Sequence, residues 1–512
     1  MLKRPLPGAR RWTTVKEATV STDPPATRSN YVDLGDADFH KGLSNLHIQM
    51  IALGGAIGTG LFLGVGSRLA VAGPALIVSY LVAGALIYAM MRALGQMVLY
   101  RPTTGSFVSY AREFVSDRWS FLTGWIYVAL CATAGCVEIA AIGVYVNFWF
   151  PELPGWIPAL AALVVIIGVN LLAVKAFGII ELGASGIKVV AIIIFLIVGV
   201  AAVVLAAFGR PLGESVAALQ NLWTEGGFAP NGMLGIVLVM QGVVFSFSGV
   251  EIVATSAGET ANPQRTIPQA IRGVVARILI FYVGSVAVLA VLMPWHRYTA
   301  EESPFVTALA SLGVTSLGGV MNFIVLTAAI SGLNATIYST VRMLRNLAAN
   351  SRAPRFANYM NRHGSPAGSL LALSAVFLLG VILISFAGAM AAFEIVLGGV
   401  AVFVLFGWIT IFVSHLGYLR KVRAGEIPAP AFRAGGAAVD YVCLALLVGL
   451  ALWMMFDTRN PHWYYSLCGA VILLGGLNIA YEIVRRRHPM PDSHLPIIPT
   501  PQHADPQKEH HA

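Results

Sequence analysis

Three ionisable side chains stand deep within apolar stretches of this sequence: Glu138, Lys188 and Glu251. A charge inside a membrane or a dry core is costly, so each is a candidate for proton or ion chemistry. Two further stretches have the makings of a ligand site. Residues 54–60 read GGAIGTG at the centre of an apolar run over 48–71, and residues 245–251 read FSFSGVE within a run over 233–256. Each glycine gives up about 1 kcal/mol of helix propensity relative to alanine, so the first run is weakest at its centre. From residue 48 to Gly58 is roughly 15 Å at the helical rise, half the thickness of a bilayer's hydrocarbon core. A break at that depth frees N–H and C=O groups where no water can reach them, and it survives only where it lines a cavity or holds a ligand. Close helix packing through small residues is the competing explanation. It accounts for Gly54 with Gly58 better than for the denser Gly58-Thr59-Gly60.

Broken helices offer two kinds of partner. The N-terminus of a half-helix exposes N–H groups and a partial positive charge, which suit a carboxylate. Unwound carbonyls and half-helix C-termini suit an ammonium or a metal cation. A ligand carrying both charges matches such a site. The amides of Gly58, Thr59 and Gly60 are expected to take its carboxylate, and carbonyls about Ala56, Ile57, Phe247, Ser248 and Gly249 its ammonium. Phe247 is the expected lid. Ser331 and Asn334 could face the same cavity, with ordinary interhelical hydrogen bonding as the equal alternative. Glu138 and Glu251 have a structural reading as ion pairs or hydrogen bonds. For Lys188 the alternative is snorkelling, since it lies only about 10 Å from the expected end of its span.

The elements that must position these residues are membrane spans. Of 512 residues, 57% are hydrophobic and only 11% charged, against about 25% charged in a soluble chain. Hydropathy gives about twelve spans: 48–71, 74–98, 121–149, 157–174, 183–207, 233–256, 275–293, 320–344, 369–386, 393–414, 439–456 and 464–484. Basic residues gather in the even-numbered connections, among them Arg101, Arg112, Arg118, Arg265, Arg272, Arg345, Arg352, Arg355, Arg420, Lys421 and Arg423, and again at Arg485-Arg486-Arg487. The odd connections carry only Arg68, Arg210, Arg297 and Arg459. The positive-inside rule then puts both termini in the cytoplasm. The first and sixth spans run in opposite directions, and each is interrupted near its middle. That is the sequence sign of an inverted-repeat architecture, with repeats over 46–208 and 232–415 and two added helices over 439–485. Residues 1–45 and 489–512 are polar, Pro-containing tails expected to be disordered. The net charge of +9 is absorbed by topology rather than pointing to nucleic acid. Cys131, Cys136, Cys443 and Cys468 have no metal-site spacing and argue against a disulfide framework.

Residues 51–62 (IALGGAIGTGLF), 72–74 (AGP), 101–114 (RPTTGSFVSYAREF), 247–259 (FSGVEIVATSAGE) with Asn262-Pro263, and 303–305 (SPF) resemble the bacterial amino acid permeases of the amino acid–polyamine–organocation (APC) superfamily. The resemblance runs from about Lys41 to Arg487. Residues 101–114 and 303–307 are most similar to the asparagine permeases. It implies an all-α polytopic membrane protein of about 12 transmembrane helices, with a LeuT-like 5+5 inverted repeat in which helices 1 and 6 are broken. It also implies proton-coupled uptake across the plasma membrane. In proton-coupled relatives a lysine of the fifth helix stands where sodium-coupled relatives hold a cation, and Lys188 matches that motif. The sequence departs from the family at 181–185 (ELGAS, where an aromatic-rich segment is common) and at Gly398, where asparagine is frequent.

The expectation is a secondary active transporter, importing a neutral or polar amino acid, asparagine favoured, with a proton gradient as energy source and no cofactor. Lys188 gains and loses the coupled proton, relayed through Glu138 or Glu251. The alternatives are a D-serine/D-alanine/glycine or GABA-type permease, an amino acid exchanger, or a transporter-like nutrient sensor. The sequence shows no intramembrane Ser/His pair, metal-spaced histidines or carboxylate dyad that would favour an enzyme.

Overall fold

The computed structural model describes residues 57–103, 105–172, 176–212, 217–251, 263–299, 302–313, 315–361, 365–428, 432, 434–456 and 463–487. Among them all regular structure is helical. Eight helices are long and apolar enough to cross a membrane, and Trp156–Leu171 is an apolar helix of shorter length. The first expected span is described only from Ile57, and the sixth only to Glu251.

The helices outrun the hydropathy limits wherever a polar extension continues past the apolar stretch. The eighth expected span, 320–344, lies within the helix Thr315–Ala349, and the tenth, 393–414, within Ala389–Arg423. The seventh begins at Pro263, twelve residues before the expected 275, because Gln264, Arg265, Gln269 and Arg272 belong to a polar extension of the same helix. Proline suits that first position, where its missing N–H would have had no partner. Two short helices, Ser106–Phe114 and Pro304–Ala310, stand in connections. Between Ala72 and Leu76 the chain turns at Gly73, whose φ is +61°. A Cβ there would come within 2.6 Å of the Pro230 ring, so glycine is required on both counts.

The helix Asp117–Asn147 is the centre of the bundle: 83% of its apolar window is buried, against 28% for Gly183–Ala207 and 17% for Ala437–Phe456. Its start is well marked. Ser116 caps it by accepting from the Trp119 N–H at 3.1 Å, and Asp117 adds a negative charge to the first turn. Asp117 also pairs with the buried Arg352 beyond the end of Thr315–Ala349, and with Arg112 at 3.1 Å. Two helices and the connection before the first are thereby tied at one end of the bundle. The peripheral helix Ala437–Phe456 is held by a buried polar joint. His415 Nδ1 lies 2.7 Å from Asp440 Oδ2, and His415 Nε2 lies 2.7 Å from Gln96 Oε1. Gln96 in turn donates its Nε2 to the Phe432 carbonyl.

Candidate functional site

In the first glycine-rich stretch Gly58 is extended (φ −129°, ψ −166°) and a helix starts at Thr59 with no side-chain cap. The Leu61 and Phe62 amides both turn back to the Gly58 carbonyl, at 3.1 and 3.2 Å. The amides of Thr59 and Gly60 therefore stand at the start of the short helix Thr59–Phe62, where intrahelical partners do not exist.

The second glycine- and serine-containing stretch follows the helix Met240–Ser246. Residues 247–251 form turns, with Gly249 at φ +91°. In a continuing helix the Ser246 carbonyl would accept from the Val250 amide. Here Val250 turns to the Phe247 carbonyl at 3.4 Å, and the Tyr282 hydroxyl takes over Ser246 O at 3.0 Å. Tyr80 OH lies 3.0 Å from Ser246 Oγ. Tyr282 thus satisfies the carbonyl that the turn sets free, as an apolar surrounding demands.

The two stretches touch. A Cβ on Gly60 would stand 2.7 Å from Ser246 Cα and 2.9 Å from Phe245 Cδ1. Beside this contact lies a cavity of about 60 Å³. Gly58, Thr59 and Gly60 form one side, and Phe245, Ser246, Ser248, Gly249 and Glu251 another. The helix Asp117–Asn147 contributes Tyr127, Leu130, Cys131, Ala134 and Glu138, which share one face at three- and four-residue steps. The helix Thr315–Ala349 contributes Gly332, Ala335, Thr336 and Ser339 in the same manner.

Both sequence-selected carboxylates face this cavity. Glu138 lies against Thr59 and interacts electrostatically with Lys188. Its carboxyl group also fills the space beside Gly332, where a Cβ would meet Oε1 at 2.7 Å. Glu251 Oε1 accepts the Gly249 amide at 3.3 Å. The Oε2 atoms of both glutamates and the Thr59 hydroxyl are buried without a hydrogen-bond partner among the described residues. Lys188 does not snorkel. It is fully buried, and Nζ donates to Ser331 Oγ at 3.0 Å. Lys188 bonds Ser331, and the neighbouring Gly332 makes room for the Glu138 carboxyl group beside Thr59, so that four helical segments meet here.

Several expected site residues stand elsewhere. Phe247 is buried outside the cavity wall, its ring centroid 4.3 Å from Tyr282 and 5.7 Å from Tyr80. Phe245 is the ring that faces the cavity, because two residues near a helix end differ by about 200° in direction. The same offset separates Asn334 from Gly332. Asn334 Oδ1 accepts from Asn170 Nδ2 at 2.9 Å, away from the cavity wall. Ile57 is buried beside the site without lining it, and Ala56 lies outside the described residues. Tyr127, Cys131, Phe245, Gly332 and Thr336 were missed by sequence reasoning. For Tyr127 and Cys131 a signal existed, since they lie eleven and seven residues before Glu138 and hence on its face.

Comparison with known proteins completes the picture. Residues 47–492 match the family model described as amino acid permease. The chain is 43% identical over 446 residues to an L-asparagine permease of Streptomyces coelicolor, covering 86% of this chain and 90% of that one. It is 44% identical over 458 residues to L-asparagine permease 2 of Mycobacterium tuberculosis, covering 88% and 92%. It is 39% identical over 486 residues to the L-asparagine permease of Escherichia coli, covering 94% and 96%. Long apolar helices and a match over most of its length identify the chain as a member of the amino acid permease family.

Proposed function

We propose that this protein is a proton-coupled importer of an amino acid, L-asparagine favoured, working across the plasma membrane by alternating access with both termini inside. The observation that carries the reading is the meeting of residues 58–60 and 245–251 around a cavity with two carboxylates, in a chain similar to L-asparagine permeases. The Thr59 and Gly60 amides hold the substrate carboxylate, at a half-helix terminus. Carbonyls of 247–249, together with those just before Gly58, take the ammonium. The cavity has room for only a few water molecules, each needing about 10–15 Å³. The half-helices must therefore part to admit substrate. Glu138 passes the proton between Lys188 and the first interruption; Glu251 is the second candidate for that role. The repeat is five helices plus five, with the two C-terminal helices outside it.

Uptake into proteoliposomes, with a panel of amino acids and an imposed proton gradient, tests this. Asparagine accumulation driven by the gradient is expected. Preference for D-alanine or GABA would reassign the substrate, and uptake only against a preloaded amino acid would make the protein an exchanger.

Two further results are expected. Blocking either the α-amino or the α-carboxyl group of asparagine should weaken competition at least 100-fold, because each leaves buried partners unmatched. Potent competition by N-acetyl-asparagine or an α-amide would rule out the zwitterion clamp. Topology should follow the basic connections. In a background lacking native cysteines, a cysteine replacing Thr224 should react with an impermeant reagent on intact cells, and one replacing Asn358 only after permeabilisation. The opposite pattern would invert the orientation.

A further inference from the structure

Between the helices Pro263–Arg277 and Ser285–Leu292 the chain runs through a seven-residue π-helix, Ile278–Gly284. A π turn bonds five residues along instead of four, so it rotates the side chains on either side out of α-helical register. Such turns are rare and frequently stand at functional sites. This one packs on the helix Leu76–Tyr100, where Gly84 leaves room for Ile278: a Cβ at Gly84 would lie 2.6 Å from Ile278 Cγ2. Tyr80, one turn before Gly84, and Tyr282, one turn after Ile278, then stand side by side with ring centroids 5.8 Å apart. Both are buried.

Both hydroxyls go to Ser246, but to different atoms. Ser246 Oγ donates to the Gly242 carbonyl at 2.9 Å, so its one hydrogen is used and Tyr80 is the donor in the 3.0 Å contact with Oγ. Tyr282 donates to the Ser246 carbonyl at 3.0 Å. The two bonds are not equivalent. Without the Tyr80 hydroxyl, Ser246 Oγ keeps its bond to Gly242. Without the Tyr282 hydroxyl, the Ser246 carbonyl loses the donor that replaces the Val250 amide, which has turned to Phe247. A buried carbonyl left without a partner is costly. The nearest remedy is to take the Val250 amide back, which rewinds residues 247–251 and moves Gly249 away from its φ of +91°. Rewinding would also carry Ser248, Gly249 and Glu251 off the cavity wall they now form.

We propose that Tyr282 is a positioning residue for transport. By holding the Ser246 carbonyl it keeps residues 247–251 in turns, and so keeps Ser248, Gly249 and Glu251 facing the cavity. It acts through Ser246, since Tyr282 itself stands outside the cavity wall. The inference rests on the reading of residues 58–60 and 245–251 as the substrate site.

The test is uptake kinetics in proteoliposomes under a proton gradient, with labelled asparagine or the amino acid that the unaltered protein accumulates in its place. Tyr282→Phe should raise KM about 10-fold with the maximal rate per inserted molecule kept within about twofold. Tyr80→Phe should raise KM less than about 3-fold. Both substitutions keep the ring, so a role in packing alone would move the two alike. An unchanged KM in Tyr282→Phe, or an equal rise in both variants, would overturn the assignment. Gly60→Ala, measured beside them, separates the two readings. Normal uptake by Gly60→Ala removes the substrate site on which the inference rests, whereas reduced uptake there with a normal Tyr282→Phe refutes the role of Tyr282 alone. Should Tyr282→Phe fail to insert, 3-fluorotyrosine placed at position 282 of the full-length protein decides. Its fluorine resonance should shift when substrate is added, and an unmoved resonance refutes the role.

Discussion

Replacing Lys188 with alanine should abolish proton-driven accumulation of asparagine, a loss of at least 100-fold, while leaving weak binding. The amine is fully buried and hydrogen-bonded to Ser331, and its charge acts on Glu138, which lies against Thr59 at the start of the helix Thr59–Phe62. Its charge state therefore bears on the segment proposed to hold the substrate carboxylate. A neutral amine leaves Glu138 facing that segment alone, whereas an ammonium balances it. Alanine removes both states, and with them the link between gradient and site. A sodium gradient alone should drive no uptake in either the wild type or the variant. The check is accumulation in proteoliposomes under a proton gradient, then a sodium gradient, with substrate binding measured separately. Full accumulation by Lys188→Ala would place coupling elsewhere and leave this lysine with a structural role.

The second large effect separates two glycines that look equivalent in the sequence. Gly60→Ala should reduce uptake at least 100-fold, whereas Gly58→Ala should insert normally and retain measurable binding. The new methyl at position 60 would press on the Ser246 backbone at 2.7 Å, and backbone cannot swing aside as a side-chain tip can. Overpacking of this kind typically costs 1–3 kcal/mol and shifts the elements it separates. At position 58 the methyl would rest 3.4 Å from Glu138 Oε1, an ordinary contact, on a backbone any residue can adopt. Thermal melting distinguishes a displaced site from a misfolded protein. Near-normal asparagine uptake by Gly60→Ala would mean that the two stretches need not touch.

Much of this arrangement was legible beforehand. Glycine and serine clusters at the centre of apolar runs announce helices that cannot continue, and Glu138, Lys188 and Glu251 stand out because charge is rare there. Phase was harder. Helical periodicity fixes which residues share a face only while the helix lasts, so on either side of a break the rotation is lost. That is why Phe247 was expected in place of Phe245. For Asn334 two readings stood equal, a cavity or an interhelical hydrogen bond, and its register with Gly332 gives the second, to Asn170. Gly332 gave no local sign at all. What makes it glycine is a carboxylate arriving from the distant helix Asp117–Asn147. Hydropathy likewise reports the part of a helix that lipid covers, and is silent about extensions such as 263–274.

The joint that holds Ala437–Phe456 has a direction. The Phe432 carbonyl can only accept, so Gln96 must offer it the amide nitrogen and turn its oxygen to His415. That oxygen is also an acceptor, which obliges the His415 Nε2 to carry hydrogen. One peptide group in a loop thus dictates, through a single amide side chain, the tautomer of an imidazole buried between helices. Only Nδ1 remains to share a proton with Asp440. Turning the Phe432 peptide over would present a donor instead, invert Gln96, and move the ring's hydrogen to Nδ1, with Nε2 accepting from the Gln96 amide. The connection between the tenth and eleventh expected spans is thereby written into the bundle's hydrogen-bond polarity.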